Sequence, residues 1–121
     1  MSYATYKLLH FFGIFLLISA FGARIGHAAA GGEKGTHPVN GLISASHGVG
    51  LVLVLVAGFG MHAKAGIEGF PGWFLAKLGL WLVLGGLFAL PYRAPAQSRL
   101  LWFAVPALAA TAGWLALSKP F

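Results

Sequence analysis

The sequence contains no cysteine and only two acidic residues, Glu33 and Glu68. The absence of cysteine excludes disulfides, thiolate metal sites and cysteine nucleophiles. Both glutamates lie in connecting segments, outside the long apolar runs. Because the apolar runs carry no carboxylate, the sequence argues against a di-metal carboxylate bundle and a proton relay built on buried acids, and it excludes hydrolysis by a carboxylate pair inside a membrane.

Charge of either sign is scarce. Charged residues make up 8% of the chain, apolar residues make up 59%, and the mean hydropathy is +0.84. So few charges cannot cover a water-exposed surface, so we expect lipid to be the surrounding medium. The net charge of +6 comes from single basic residues at segment ends. This distribution favours anionic lipid headgroups as partners and argues against nucleic acid.

Four apolar segments are long enough to be membrane-spanning helices. They run over about 8–29, 41–62, 73–90 and 100–117. Each approaches the ~20 residues that cross ~30 Å of hydrocarbon, where backbone groups must be satisfied within a helix. The connections are short and contain glycine and proline, which predicts antiparallel neighbours. The sequence therefore predicts an all-α, single-domain integral membrane protein over residues 1–121, with four transmembrane helices in an up-down-up-down bundle.

This order of helices places the connections alternately on two sides. We call the side of the N-terminus the first face and the opposite side the second face. The basic residues are shared equally between the two sides, so the positive-inside rule gives no orientation. The first face has Lys7, Lys64, Lys77 and Lys119, and the second face has Arg24, Lys34, Arg93 and Arg99.

Polar side chains in the first three segments follow helical stripes. In lipid, the polar face of a helix points toward other helices or a cavity, so we expect these stripes to face inward. Small residues on a stripe let a neighbouring helix approach, as does the motif Gly22-x-x-x-Gly26. The stripes are Tyr3, Tyr6, His10, Gly13, Leu17, Ala20, Arg24 and His27 in the first segment, Asn40, Ser44, His47, Leu51, Val54, Gly58 and Met61 in the second, and Trp73, Lys77, Leu80, Leu84 and Leu87 in the third.

The depth of the polar residues predicts two separate layers. His10, His62 and Lys77 lie near the first face, whereas Arg24, His27 and His47 lie near the second. His10 and His27 are roughly 25 Å apart at ~1.5 Å per residue, so no single small ligand joins the two layers.

A structural and a functional interpretation are both open for these residues. In the first, Arg24, His27 and His62 are ordinary interfacial residues, Lys77 extends its ammonium to water, and His10 and His47 hydrogen-bond across helix interfaces. In the second, two histidines from facing helices ligate a haem or a metal ion. The candidate pairs are His10 with His62 and His27 with His47, with Arg24 as a further cofactor contact and with His10 and His47 as candidate metal ligands.

Two stretches resemble a known family. The first segment, KLLHFFGIFLLISAFGARIGH, resembles the first span of the HemJ-type four-helix protoporphyrinogen oxidases and their CopD-like relatives, with Lys7, His10, Arg24 and His27 in the matching positions. GWFLAKLGLWLVL is similar to that family's Gly-Trp-Leu-x-x-Lys-Leu pattern, with Lys77 as the lysine, and VLVAGFGM also fits. The chain is shorter than typical members and lacks their histidine late in the third helix.

The resemblance implies a multi-pass protein of the bacterial inner membrane that binds haem b. It implies that His10 is an axial ligand, that Lys77 belongs to the same site, and that these two are the catalytic residues. In that family the reaction removes electrons and protons from a porphyrinogen.

Two functions remain open at this point. In a small haem-linked redox protein, His10 would ligate iron and Lys77 would hold a propionate or an anionic substrate, because an ammonium is a good point charge for carboxylates. In a non-catalytic accessory subunit, or a self-associating protein, the small-residue faces would pack on partner helices and Lys77 would bind a lipid headgroup. A transporter or copper-handling protein ranks third, since the chain has only two methionines.

Overall fold

The computed structural model describes all 121 residues, and it contains helices and no strands. The all-α prediction is therefore confirmed. Three helical segments are long and apolar enough to cross a membrane, and a fourth apolar helix is shorter. The elements are α1 (Tyr3–Ala29), α2 (Asn40–Lys64), α3 (Gly72–Leu87), α4 (Leu90–Arg93), a 3₁₀ turn (Pro95–Gln97) and α5 (Ser98–Ser118).

The third segment ends earlier than predicted. Helix α3 stops at Leu87 and α4 begins at Leu90, with Pro91 in its first turn. Proline has no N–H to donate into the preceding turn, so it starts a new helix more easily than it continues an old one. The restart turns the chain at the second face before α5.

Helices α1 and α2 form the closest pair, and glycine is the reason. They are antiparallel, since His10 bonds to Val54 near one end and Arg24 bonds to Ser44 near the other. A Cβ at Gly50 would lie 2.8 Å from the Gly13 carbonyl oxygen, so only a residue without a side chain fits there. The predicted role of Gly13 is confirmed.

The predicted packing role of Gly22-x-x-x-Gly26 within the chain is wrong. A Cβ at Gly22 or at Gly26 would meet nothing within 4 Å. Both glycines lie beside the polar stripe of α1, and no other helix of this chain packs directly on them.

The stripes of α1 and α3 lie inward as predicted, but that of α2 is displaced. The predicted stripe of α2 follows the polar residues from Asn40. In the structure, the contact face of α2 is set instead by its close approach to α1 at Gly50, and this rotation leaves Ser44 exposed. The residues of α2 that are buried are Ile43, His47, Gly50, Ala57 and His62.

Helix α5 packs between α1 and α3, and α3 lies antiparallel to α5 and α2. The main core, built around Phe21, Ile25 and Val105, fills the half of the bundle near the second face. The backbones of α2 and α3 come close at few positions, and the space between them near the first face is a cavity.

The distribution of side chains is the reverse of that in a soluble protein. Large apolar side chains such as Leu8, Phe15, Leu82 and Phe103 are more than 60% exposed on the outside. Polar side chains lie inside. Together with the three long apolar helices, this distribution is typical of a membrane protein. The buried polar and charged residues are His10, Arg24, His47, His62 and Ser98.

Candidate functional site

The structure contains the two predicted polar layers. The layer near the first face surrounds a cavity of about 150 Å³, which we call the first-face cavity. Its wall is mainly apolar, so the few polar side chains that reach it stand out chemically. Those that matter here are His10, His62, Trp73, Lys77, Trp81 and Lys119.

His10 is held in a defined orientation. Its side chain is 8% exposed, and Nδ1 lies 2.9 Å from the carbonyl oxygen of Val54 in α2. A carbonyl can only accept, so Nδ1 carries the proton and donates, which leaves Nε2 with a free lone pair. The ring lies against Gly58, where a Cβ would approach its Cε1 to 3.4 Å. His10 therefore offers one unprotonated nitrogen at the first-face cavity.

His62 is buried, so its interpretation as an ordinary interfacial residue is wrong. The connection after α2 folds back over it, and Gly69, with φ +65°, directs its carbonyl oxygen to within 2.7 Å of His62 Nε2. The imidazole packs on Phe74 and Phe70 at centroid distances of 4.3 and 5.6 Å. The second nitrogen, Nδ1, is buried and has no hydrogen-bond partner. His62 is thus already engaged through the nitrogen that a haem ligand would use.

Lys77 is half-buried and shares the first-face cavity with His10, as the depth of the two residues predicted. Lys119, from the end of α5, reaches the same space. It has φ +46°, which turns the chain back, and its Nζ lies 5.2 Å from the centre of the Trp73 ring. The helical stripes of the sequence do not include Lys119, because no periodic pattern places a residue beyond the end of a helix.

Arg24 organises the layer near the second face. It is 8% exposed, so its interpretation as an ordinary interfacial residue is also wrong. Nη1 donates to the carbonyl oxygen of Phe88 at 2.9 Å, and Nη2 donates to Ser44 Oγ at 3.2 Å. The guanidinium also lies 3.7 Å from the centre of the Phe88 ring. The last carbonyls of a helix lack intrahelical partners and carry partial negative charge, so Arg24 satisfies the C-terminal end of α3.

His47 serves the same end of α3. Its Nε2 donates to the carbonyl oxygen of Leu84 at 3.3 Å, and its ring stacks on Phe88 with centroids 3.8 Å apart and planes 5° apart. Because Arg24 also lies within 4 Å of the Phe88 centroid, the two groups must occupy opposite faces of that ring. This arrangement joins α1, α2 and α3, and it leaves one polar atom without a hydrogen-bond partner, the buried Nε of Arg24.

His27 belongs to a third set of contacts, at the surface. It shares a 2.7 Å hydrogen bond with Tyr92 and packs edge-on against His37 at 4.9 Å. His27 and His47 therefore have different partners, and the structure does not bring them together as a ligand pair. No group of three histidine or carboxylate side chains converges as a metal site, and the two candidate metal ligands, His10 and His47, lie in different layers.

Comparisons with protein-family models, with curated proteins and with solved structures find no match. The chemistry of the first-face cavity is therefore the main guide to function. One axial position of a b-type haem fits the donor set, since His10 offers Nε2 and Lys77 offers a cation for a propionate. The cavity is partly open, and its volume of about 150 Å³ is smaller than the roughly 300–1,000 Å³ of pockets that surround whole cofactors, so it would hold only part of a macrocycle.

Proposed function

We propose that the chain is an integral membrane protein with four spans. Helix α3 has 16 residues, about 24 Å at ~1.5 Å per residue, which is short for a span on its own. It nevertheless lies beside α2 from His62 to His47, and beside α5 from Leu115 to Leu101. A helix that follows two long neighbours over this distance crosses the same apolar layer as they do, and α4 extends its far end.

Labelling of single cysteines tests the number of spans, and the cysteine-free chain gives no background. Exposed connections offer Lys34→Cys, Glu68→Cys and Ala96→Cys. With four spans, a membrane-impermeant maleimide applied to intact cells modifies either positions 34 and 96 or position 68, and the remaining positions react only after the membrane is permeabilised. Modification of positions 68 and 96 from the same side would mean that α3 does not cross.

We further propose that the first-face cavity binds haem b in a membrane redox or porphyrin-oxidising protein. The observation that carries this is the His10–Val54 hydrogen bond. Histidines that ligate metals usually donate their other ring N–H to a carbonyl or carboxylate, which fixes the free nitrogen on the metal. In this proposal His10 is the axial ligand, Lys77 binds a propionate, and the apolar wall excludes water. A bound haem would supply one-electron chemistry.

Absorption spectra of the purified protein test this assignment. We expect a Soret band whose companion bands sharpen on reduction, and we expect His10→Ala to remove them. His37→Ala is the matched control, because His37 lies at the second face, away from the first-face cavity, and should leave the spectrum unchanged. A colourless wild-type protein that remains colourless after incubation with haemin would contradict the haem assignment.

The alternative function, a non-catalytic subunit of a larger membrane complex, is favoured by a different observation. Gly22 and Gly26 face outward, and Gly22 lines a groove with Trp102 and Pro106 between α1 and α5. In lipid, a glycine pair at this spacing lets a partner helix approach closely. Gly22→Leu should then lower co-purification with other subunits while leaving thermal stability unchanged. Unchanged association would remove this support.

A further inference from the structure

The first-face cavity holds two ammonium groups and no acid. Lys77 and Lys119 both line it, and neither Glu33 nor Glu68 does. The only hydrogen bond of Lys119 Nζ is to the carbonyl oxygen of Ala116 at 2.6 Å, and Lys77 has none. Lys77 is half-buried and Lys119 is exposed. The two like charges repel each other, and Lys77 also loses hydration beside the apolar wall, so an anion near both groups would be favourable. No acidic side chain of the chain lines the cavity as a partner for either ammonium.

The wall next to the ammonium groups is apolar and aromatic. Trp73, Phe74 and Trp81 face the cavity, together with aliphatic residues of α2 and α3. Trp81 donates its indole N–H to the Leu51 carbonyl oxygen at 2.9 Å, so its polar atom is satisfied and its ring is left for packing. A ligand suited to this wall therefore has an apolar body.

The turn at the end of α5 supplies the second cation. Lys119 adopts the left-handed conformation, and the residues after it run back across the start of α3. There the backbone N–H of Trp73 donates to the carbonyl oxygen of Phe121 at 3.1 Å. The Phe121 ring fills the space beside Gly72, where a Cβ would clash with it. The position of the Lys119 ammonium above Trp73 is thus set by the fold.

We propose that Lys77 and Lys119 together bind the anionic oxygens, carboxylate or phosphate, of an amphiphile whose apolar part enters the first-face cavity. Two oxygens of one acid group can accept from the two ammonium groups, which removes their repulsion. This inference concerns the same cavity as the proposed function, but it does not require haem or His10.

Quenching of tryptophan fluorescence tests the proposal, since Trp73 and Trp81 face the cavity. The protein, in an uncharged detergent, is titrated with dibromostearate, whose bromines quench nearby indoles. Lys77→Gln and Lys119→Gln should each weaken binding about tenfold, the usual scale for losing one charge-assisted hydrogen bond. Lys77→Arg should retain binding. Lys7→Gln is the matched control, because Lys7 lies over Phe11 and does not line the cavity.

Competition distinguishes the sources of the anion. If dodecyl phosphate displaces dibromostearate at a lower concentration than laurate does, the natural ligand is a phospholipid headgroup. If laurate is the better competitor, the natural ligand is a carboxylate. Either result supports the proposal. Dodecyltrimethylammonium should not compete. Equal weakening in Lys7→Gln, unchanged binding in both lysine variants, or competition by the cationic amphiphile would overturn it. Thermal unfolding of each variant without ligand shows whether a loss of binding reflects a loss of fold.

The outcome is separable from that of the haem assignment. Anion binding that depends on Lys77 and Lys119 in a colourless protein supports this inference while the haem assignment fails. Conversely, a haem spectrum that depends on His10, together with unchanged dibromostearate binding in both lysine variants, supports the haem assignment and overturns this inference.

Discussion

Gly50→Ala is expected to lower the stability of the protein more than most single substitutions. The added Cβ would lie 2.8 Å from the Gly13 carbonyl oxygen, 2.9 Å from the Leu17 nitrogen and 3.2 Å from the Leu17 Cβ. Two of these contacts are backbone atoms of α1, which cannot rotate away, so the two helices must separate. Overpacking of this kind costs about 1–3 kcal/mol, and Gly50→Leu should prevent the α1–α2 pair from forming.

Gly22→Ala is the matched control for this prediction. It lies on the same helix pair and adds the same methyl group, but the new Cβ would meet nothing within 4 Å. Because alanine favours a helix over glycine by about 1 kcal/mol, Gly22→Ala should be neutral or stabilising. Thermal unfolding in detergent gives the melting temperature of both variants. Equal melting temperatures for Gly50→Ala and Gly22→Ala would mean that α1 and α2 do not meet at Gly50.

Arg24→Leu should have the second large effect. It removes the donors to the Phe88 carbonyl oxygen and to Ser44, and it removes the guanidinium from the face of the Phe88 ring. Hydrogen bonds from charged donors contribute about 1.5–3 kcal/mol each to the free energy of unfolding. Removing the charge also removes the cost of burying it, which offsets part of the lost stability. We expect a net destabilisation of about 3 kcal/mol. Arg24→Lys should be nearly as damaging, because an ammonium cannot reproduce the planar fork that spans both acceptors.

The second-face arginine Arg99 provides the comparison. It is exposed, so Arg99→Leu should change the melting temperature little. The same experiment distinguishes the structural role of Arg24 from its predicted role as a cofactor contact. A structural role predicts that Arg24→Leu lowers the melting temperature of the haem-free protein. Unchanged stability of the haem-free protein, combined with a lower haem content, would contradict the structural role and restore the cofactor role.

The success of the predicted stripe on α1 has a simple physical basis. In an apolar medium a polar side chain has no favourable outward position, so the spacing of His10 and Arg24 was enough to define the inner face. His10 and Lys77 could likewise be placed at one depth, since depth along a helix depends only on rise per residue. Both expectations come from periodicity and need no knowledge of which helices touch.

The wrong predictions concern contacts between helices, about which helical periodicity gives no information. Gly22 and Gly26 form a recognisable small-x-x-x-small motif, whereas Gly13 and Gly50 are single glycines in different segments, yet only Gly13 and Gly50 lie between helices of this chain. The interfacial interpretation of Arg24 and His62 is wrong although their predicted depth is right. Residues distant in the sequence cover both side chains and bury them. Phe88 and the connection around Gly69 provide that cover.

By itself, the sequence determined the apolar composition typical of a membrane protein, the helical class, the inward stripe of α1 and the two levels of polar residues, because each follows from composition or from helical rise. Only the tertiary structure decided that Arg24 and His47 satisfy the end of α3, that His10 keeps a free nitrogen, and that Lys119 joins Lys77. These facts depend on contacts between residues far apart in the chain. Helix packing and the turns at helix ends create such contacts, and no local pattern encodes them.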